Sequence, residues 1–437
     1  GTLGMFTPSG VDLHMDVSID MLTAASLLGQ AGLAAQQEAL AGRLVESAWS
    51  LGRVAAAVLP AERQAWSESV AEALGVGLDS PVLALEAAVS RIALAWVAAS
   101  AYATDRLFMA EPALLVVIEG FQVEPVTDAL KKHFGERAVS IALCLAGDAL
   151  ESVAAPVPSL HAALDAEDEA GRAAACVLAH LAQGRSPVAL IAQDRQLTRR
   201  TAAMLAQRGI AMRDETGWKL STARAAAGLM SLLRALPWDV STDAVMDWLK
   251  NAPAFEASKV MAAETEMRKF GVRAWRDLPS SPLDTLVAAQ LLARQVNALR
   301  ADLTRPRSLA AWLRDFRAAL QSAGQWEPMT VDEAGQRVLD VLRLHEGADS
   351  EFEDAPVMAL NTFTSWTNQA LEAETFSPEH PAVEQVVILP LAQLLGRTAH
   401  AVVLPGCDEI RLPVSPEPTG QWTPSQRELL GLPTRED

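Results

Sequence analysis

The chain has 437 residues, half of them hydrophobic, and its 54 Asp and Glu against 36 Lys and Arg give a formal charge of −18. That length can bury large cores and suggests about two to four domains, and a 21 % charged fraction with a mean hydropathy of +0.14 excludes a disordered chain. No apolar run reaches the roughly 18 residues of a spanning helix, so no membrane segment is expected, while three scattered cysteines without a C-x-x-C exclude a disulfide framework and a zinc site and point to a reducing, cytoplasmic setting.

In chain order, apolar residues first recur at spacings of three and four, as at Leu40, Leu44, Ala48 and Leu51, which predicts a helical bundle over 1–110. Continuous apolar runs follow at 114–118 and 139–145, with a helix predicted over 126–134 between them. Runs of this kind suit fully buried parallel strands, and strand–helix–strand suggests a βαβ unit in 111–155. A second α/β block is expected over 156–237. It opens with a helix from Asp165 to Gln183, N-capped by Asp165 and closed by Gly184; a strand from Val188 to Ala192 follows, then a helix from Asp194 to Arg208 closed by Gly209, and a short strand at 210–212. A further helix is predicted over 221–237. Residues 238–380 read as an inserted helical domain rich in Trp, with an amphipathic stripe at Leu286, Leu291, Leu292, Val296 and Leu299. Strands return at 385–389 and 401–404, within a last segment over 381–437. The ends, at Gly1 and Asp437, read as those of a piece of a longer protein.

The missing chemistry is informative. None of the six lysines follows a glycine, so no G-x-x-x-x-G-K-[ST] loop can cradle a triphosphate. No lysine sits two residues after an acid, and H-E-x-x-H and G-x-S-x-G are absent. Cys176 and His180 share one helix face, with His161 nearby in sequence, but no third ligand is evident for a metal. No cofactor and no catalytic residue are therefore expected in this chain.

Three segments carry a resemblance. Leu114-Leu115-Val116-Val117-Ile118-Glu119 resembles the Walker B strand of UvrD-like helicases in a degenerate form. The segment from Val188 through Gln193, Asp194, Arg195 and Arg199 to Gly209 resembles the strand and helix that open their second motor domain, preceded by an acidic helix containing Glu169. The segment from Val386 through Gly396 and 401–406 to Glu409 and Pro413 is similar to a late helicase motif. Together they resemble the AddB/RexB-like subunits of bacterial helicase–nuclease complexes, which process broken DNA ends. The resemblance implies an α/β, helix-dominated chain: two RecA-like parallel-sheet domains with large helical insertions. It also implies DNA and an active subunit of the AddA type as partners, and a parent that is an exodeoxyribonuclease or helicase subunit. The departures imply a motor without ATP hydrolysis. Glu119 stands without the second acid that Mg²⁺ binding needs, Gln193 stands where an active motor usually has an arginine, and of the late motif's Thr, His, Lys and Gly only Gly396 remains.

Such a chain can still hold DNA. Residues 185–213 carry six arginines and one acid, with Arg195 and Arg199 at i,i+4 spacing and Arg200 beside them, and 294–317 carry six against two. These suit salt-sensitive, sequence-blind phosphate contacts, and they also suit solvated helix faces. Thr362 and Trp366 are further candidates, since the resemblance puts a region near them close to the DNA path, although a Trp is more often packed inside. Two readings stay open: a scaffold that guides a DNA strand, or an acidic protein-interaction scaffold that docks a motor partner and touches no DNA.

Overall fold

The computed structural model of the protein describes residues 11–75, 80–119, 124–142, 158–278, 286–353, 355, 357–378, 383–394, 397–408, 411–412 and 422–432. The chain divides into two compact units, one formed by residues 1–212 with 384–437 and the other by residues 213–383.

The first unit opens with four helices, α1 (Val17–Gln30), α2 (Gln37–Ala55), α3 (Arg63–Gly75) and α4 (Ala84–Ala99). The three-and-four spacing puts Leu40, Leu44, Ala48 and Leu51 on one buried stripe of α2, which packs on α1 and α4. With its preceding turn, α4 spans 81–99 and is long and apolar enough to cross a membrane by length and composition, which corrects the expectation that no such segment exists. It carries Glu86 and Arg91, and its Ala93, Leu94, Trp96 and Val97 are buried in the helical core. Trp422, Leu430 and Leu432 complete that core. The last described segment thus packs with the helices at the other end of the chain, rather than only with the strands before it.

After α5 (Asp105–Met109), β1 (Leu115–Glu119), α6 (Pro125–Phe134) and β2 (Ala138–Ala142) form the expected βαβ unit. The strands are parallel, with Val116 opposite Val139 and Ile118 opposite Ile141. Leu115 and Ala138 pack with Leu130 and Phe134 of α6. Full burial does not hold, however: Val116, Ile118, Val139 and Ile141 are 47–66 % exposed, while among the described residues α6 packs on the side of Leu115 and Ala138.

The second sheet is deeply buried. Its helices and strands are α7 (Ala166–Ala182), β3 (Val188–Ile191), α8 (Arg195–Ala206), β4 (Met212–Asp214), β9 (Val386–Leu389) and β10 (Ala401–Val403), where β5 to β8 belong to the second unit. The strand order is β10-β3-β9-β4, with β3 parallel to both β9 and β10. Every residue of β3 and β9 is buried. Val188, Leu190, Val386 and Ile388 pack with Ala173, Ala174, Val177 and Leu205 of the helices, while Ala189, Ile191, Val387 and Leu389 form a second cluster. This is why both runs are apolar at every position instead of alternating. Asp165 and Asp194 cap α7 and α8 as their positions predict, and Gly184 and Gly209 end them at positive φ.

In the second unit, β5 (Trp218–Lys219) pairs with β8 (Thr375–Phe376), and β6 (Arg307–Ser308) with β7 (Val357–Met358), both antiparallel. Its helices are α9 (Arg224–Ala235), α10 (Thr242–Leu249), α11 (Ala257–Phe270), α12 (Val287–Arg300), α13 (Leu309–Ser322), α14 (Trp326–Val331), α15 (Glu333–Val341) and α16 (Leu360–Ala373). The unit begins at Arg213, and its α9 buries Leu229, Leu232 and Leu233 and packs on α10, α15 and α16. Trp248, Trp275, Trp312, Phe316 and Phe363 are fully buried, and Trp312 stacks on Phe363 at 4.9 Å. On α12, Leu292 and Val296 face inward, but Leu291 is 56 % exposed and drops out of the predicted stripe.

Candidate functional site: the strand-end crevice

The connection from β9 to β10 crosses from one side of β3 to the other. Ligands of open parallel sheets bind outside the carboxyl ends of the strands at such a switch point, so the loops after β3 and β10 define the first place to look.

Asp194 follows β3. Its Oδ1 accepts from the backbone N–H groups of Gln196 (2.8 Å) and Leu197 (2.9 Å), satisfying donors that the start of α8 leaves open. Its Oδ2 accepts from Arg411 Nη2 at 2.6 Å. Asp408 takes the same guanidinium through Nη1 and accepts from the Arg411 backbone N–H at 2.8 Å. Glu169 of α7 accepts from the Gly406 N–H at 2.8 Å. Gly406 has φ +80°, and a Cβ there would stand 3.4 Å from Arg411 Cδ and 3.6 Å from Gln193 Cβ.

These contacts set the electrostatics. The Leu197 backbone bond, with help from Arg411 and Gln196, holds the Asp194 carboxyl below the usual carboxylate range. Arg411 is pushed up, chiefly by its bond to Asp194. Burial, then the charges of Glu169 and Asp408, pushes the Cys407 thiol up, so this exposed cysteine is a poor nucleophile. Both aspartates are occupied by one guanidinium and a helix start, and Glu169 by a backbone N–H. Among the described residues the crevice holds no nucleophile with an adjacent base, and no group of three or more His, Cys, Asp or Glu that could hold a metal ion. The Arg411 guanidinium joins the loop after β3 to the loop after β10 through its ion pairs with Asp194 and Asp408.

Of the residues singled out in the sequence, Gln193 is half-buried here, with its Cβ close to the Gly406 position. Arg195, Arg199 and Arg200 are exposed on α8, which starts at this edge; Arg200 reaches Glu167 at 3.7 Å. Glu119, at the end of β1, accepts from Lys131 Nζ at 2.7 Å, and that bond, followed by one from Ser140, lowers its pKa. Gly396 and Glu409 lie outside the described residues. Thr362 is exposed, but Trp366 is 4 % exposed and stacked against Phe363. It is a core residue and not a nucleic-acid contact, because it sits on the inner stripe of α16 with Phe363, Thr367 and Ala370. The basic span 294–317 is largely absorbed as well: Arg300 is buried, Arg307 pairs with Asp315, and Arg314 and Arg317 reach Asp349 at 3.4 and 3.8 Å. Sequence reasoning missed Arg411, whose only local signal is the acid three residues before it.

No family model matches the chain, and no curated protein matches it.

Proposed function

We propose that this chain is a helicase-like scaffold without motor chemistry. It guides a DNA strand while a helicase–nuclease complex of the AddB/RexB-like kind processes broken ends in the cytoplasm, beside an active subunit of the AddA type. The observation that carries the reading is the parallel β10-β3-β9 arrangement. Two of the segments that carry the resemblance, almost two hundred residues apart, lie side by side in one parallel sheet, which supports the reading of a second motor-type domain. Crevice carboxylates taken up by Arg411 and by backbone N–H groups suit a fold that no longer turns over nucleotide. The exposed Arg195, Arg199 and Arg200 supply cations beside the crevice for phosphate contacts.

The test is fluorescence anisotropy with labelled single-stranded, duplex and forked DNA, from about 50 to 200 mM salt. The expected result is binding that weakens steeply with salt, and weakens further in the Arg195→Ala, Arg199→Ala double variant. Absence of binding to every DNA at low salt would overturn the reading. The second reading, a scaffold that docks a motor partner without touching DNA, is favoured by the exposed face of Val116, Ile118, Val139 and Ile141. It predicts that outcome.

A further inference from the structure

Of the eleven Trp side chains, ten are buried or half-buried, whereas Trp238 is 74 % exposed. It stands in the loop between α9 and α10, and that loop is held from several sides. Arg300 Nη2 donates to the carbonyls of Leu236 (2.9 Å) and Pro237 (2.5 Å). The Val240 N–H also donates to Pro237 O, and Trp275 N–H donates to Val240 O. Ser241 bridges to Ala274. An indole projecting from a backbone fixed this way loses little freedom when something stacks on it.

The charge around the loop is specific. Arg300 is 6 % exposed, and among the described residues no carboxylate pairs with it; its Nε has no partner. Its guanidinium thus braces from below the two carbonyls that precede Trp238. Arg234, in the last turn of α9, is exposed. Arg273 is exposed too, and its carbonyl accepts from the Thr242 N–H on the other side of the loop. Asp239 and Asp243 are exposed beside them. The patch is mixed in sign, so charge alone would grip a phosphate chain weakly and stacking must supply much of the contact.

We propose that Trp238 is a stacking platform for an unpaired base of a single strand, with Arg234 and Arg273 taking the flanking phosphates. This rests on the DNA-guiding reading above and extends it to a residue outside the strand-end region. An aromatic face accepts any base, so the contact is blind to sequence, and it rejects duplex because paired bases are not available to stack.

The experiment titrates the full chain against a labelled single strand of about 12 nucleotides, within the usual site size of such proteins, and against duplex. Trp238→Ala should weaken single-strand binding about tenfold at every salt concentration, without changing the slope of affinity against salt, because no counterion release is lost. Trp238→Phe should keep most of the affinity. Duplex binding should not change, and quenching of a 2-aminopurine in the strand should disappear only in the Ala variant. Being exposed, the residue can be replaced without disturbing the core. Equal affinity of wild type and Trp238→Ala would overturn the proposal, as would equal weakness of the Ala and Phe variants. If Arg195→Ala, Arg199→Ala weakens binding and Trp238→Ala does not, stacking falls while the DNA-guiding reading stands. If the wild type binds no DNA, both fall.

Discussion

The Glu169 carboxylate accepts the backbone N–H of Gly406 at 2.8 Å, across 237 positions of sequence. The bond joins α7, which leads into β3, to the loop that leaves β10, and so fixes one wall of the crevice. Gly406 can offer that N–H because it has φ +80°, a conformation that costs an L-residue about 1–2 kcal/mol. Gly406→Ala should therefore destabilise by about that amount through its backbone conformation, since its Cβ would meet Arg411 only at ordinary contact distance. Urea unfolding followed by circular dichroism checks this through the midpoint at unchanged slope. A loss below about 0.5 kcal/mol, the range of ordinary surface substitutions, would show that the loop relaxes freely.

Cys407 tests the electrostatics of the same wall. Burial, Glu169 and Asp408 all raise its thiol pKa, which leaves little thiolate, the reactive form, at mildly alkaline pH. Glu169→Gln keeps an oxygen for the Gly406 N–H and removes the charge. The thiol pKa should then fall and alkylation of Cys407 near pH 8 should quicken severalfold, with its half-maximal pH displaced downward. Mass spectrometry of the labelled peptide separates Cys407 from the other cysteines. An unchanged rate profile would mean that burial and Asp408 set the shift without Glu169.

The second sheet was legible because its physics is local. A strand buried on both faces is apolar at every position, and Asp165 and Asp194 announce the helices that follow them. The same logic misled at Val116 and Ile118, which are 51 and 66 % exposed: an apolar run reports the capacity to be buried, and not the burial itself. Arg411 was hidden because it lies outside any periodic element and its partner Asp194 is 217 positions away. Trp238 and Trp366 look alike in sequence, since indoles in helical, Trp-rich surroundings carry no sign of which one faces water.

Asp194 links stability to pH. Its carboxyl is held below its ordinary range in the folded chain, so its contribution is complete above the unfolded value of about 4 and is lost as pH falls through the depressed folded value. Asp194→Ala should cost about 1 kcal/mol at neutral pH, as for loss of a helix cap. The gap in urea midpoint between wild type and variant should narrow in acid as the wild-type carboxyl protonates. A gap of the same size under acid conditions would rule out the charge as its source.

In the helical part of the first unit, Arg63 is a buried fastener. Its guanidinium donates to the carbonyls of Ala55 (3.1 Å), Val58 (3.1 Å) and Ser100 (3.0 Å), pairs with Asp105 at 2.5 Å, and lies 4.7 Å from the centre of the Tyr102 ring. It thus serves carbonyls at the C-terminal ends of both α2 and α4, which have no intrahelical donors. Arg63→Ala leaves Asp105 largely buried without its partner, a change that costs about 3–5 kcal/mol. Arg63→Lys keeps the charge but lacks the fork that reaches several carbonyls at once, and should recover only a minor part of the loss. Thermal unfolding of the three proteins checks the order; a lysine variant as stable as wild type would show that charge, and not the fork, holds these helix ends.

Trp366 and Trp238 separate packing from recognition. Trp366 is buried between Phe363, to which it is nearly parallel at 5.9 Å, and Phe352, which meets it edge-on at 6.1 Å. Truncating a buried Trp to Ala costs about 3–5 kcal/mol through lost burial and the cavity left behind. Trp366→Ala should therefore lower the unfolding midpoint strongly, while the DNA affinity of the molecules that remain folded stays that of the wild type. Trp238→Ala should do the reverse, leaving the midpoint within about 0.5 kcal/mol, as for an exposed side chain, and changing only single-strand affinity. Measuring both properties on both variants, with affinity corrected for the folded fraction, assigns each indole to one role. A loss of affinity in folded Trp366→Ala as large as in Trp238→Ala would mean that the core of the second unit, and not the exposed indole, shapes whatever surface the strand meets.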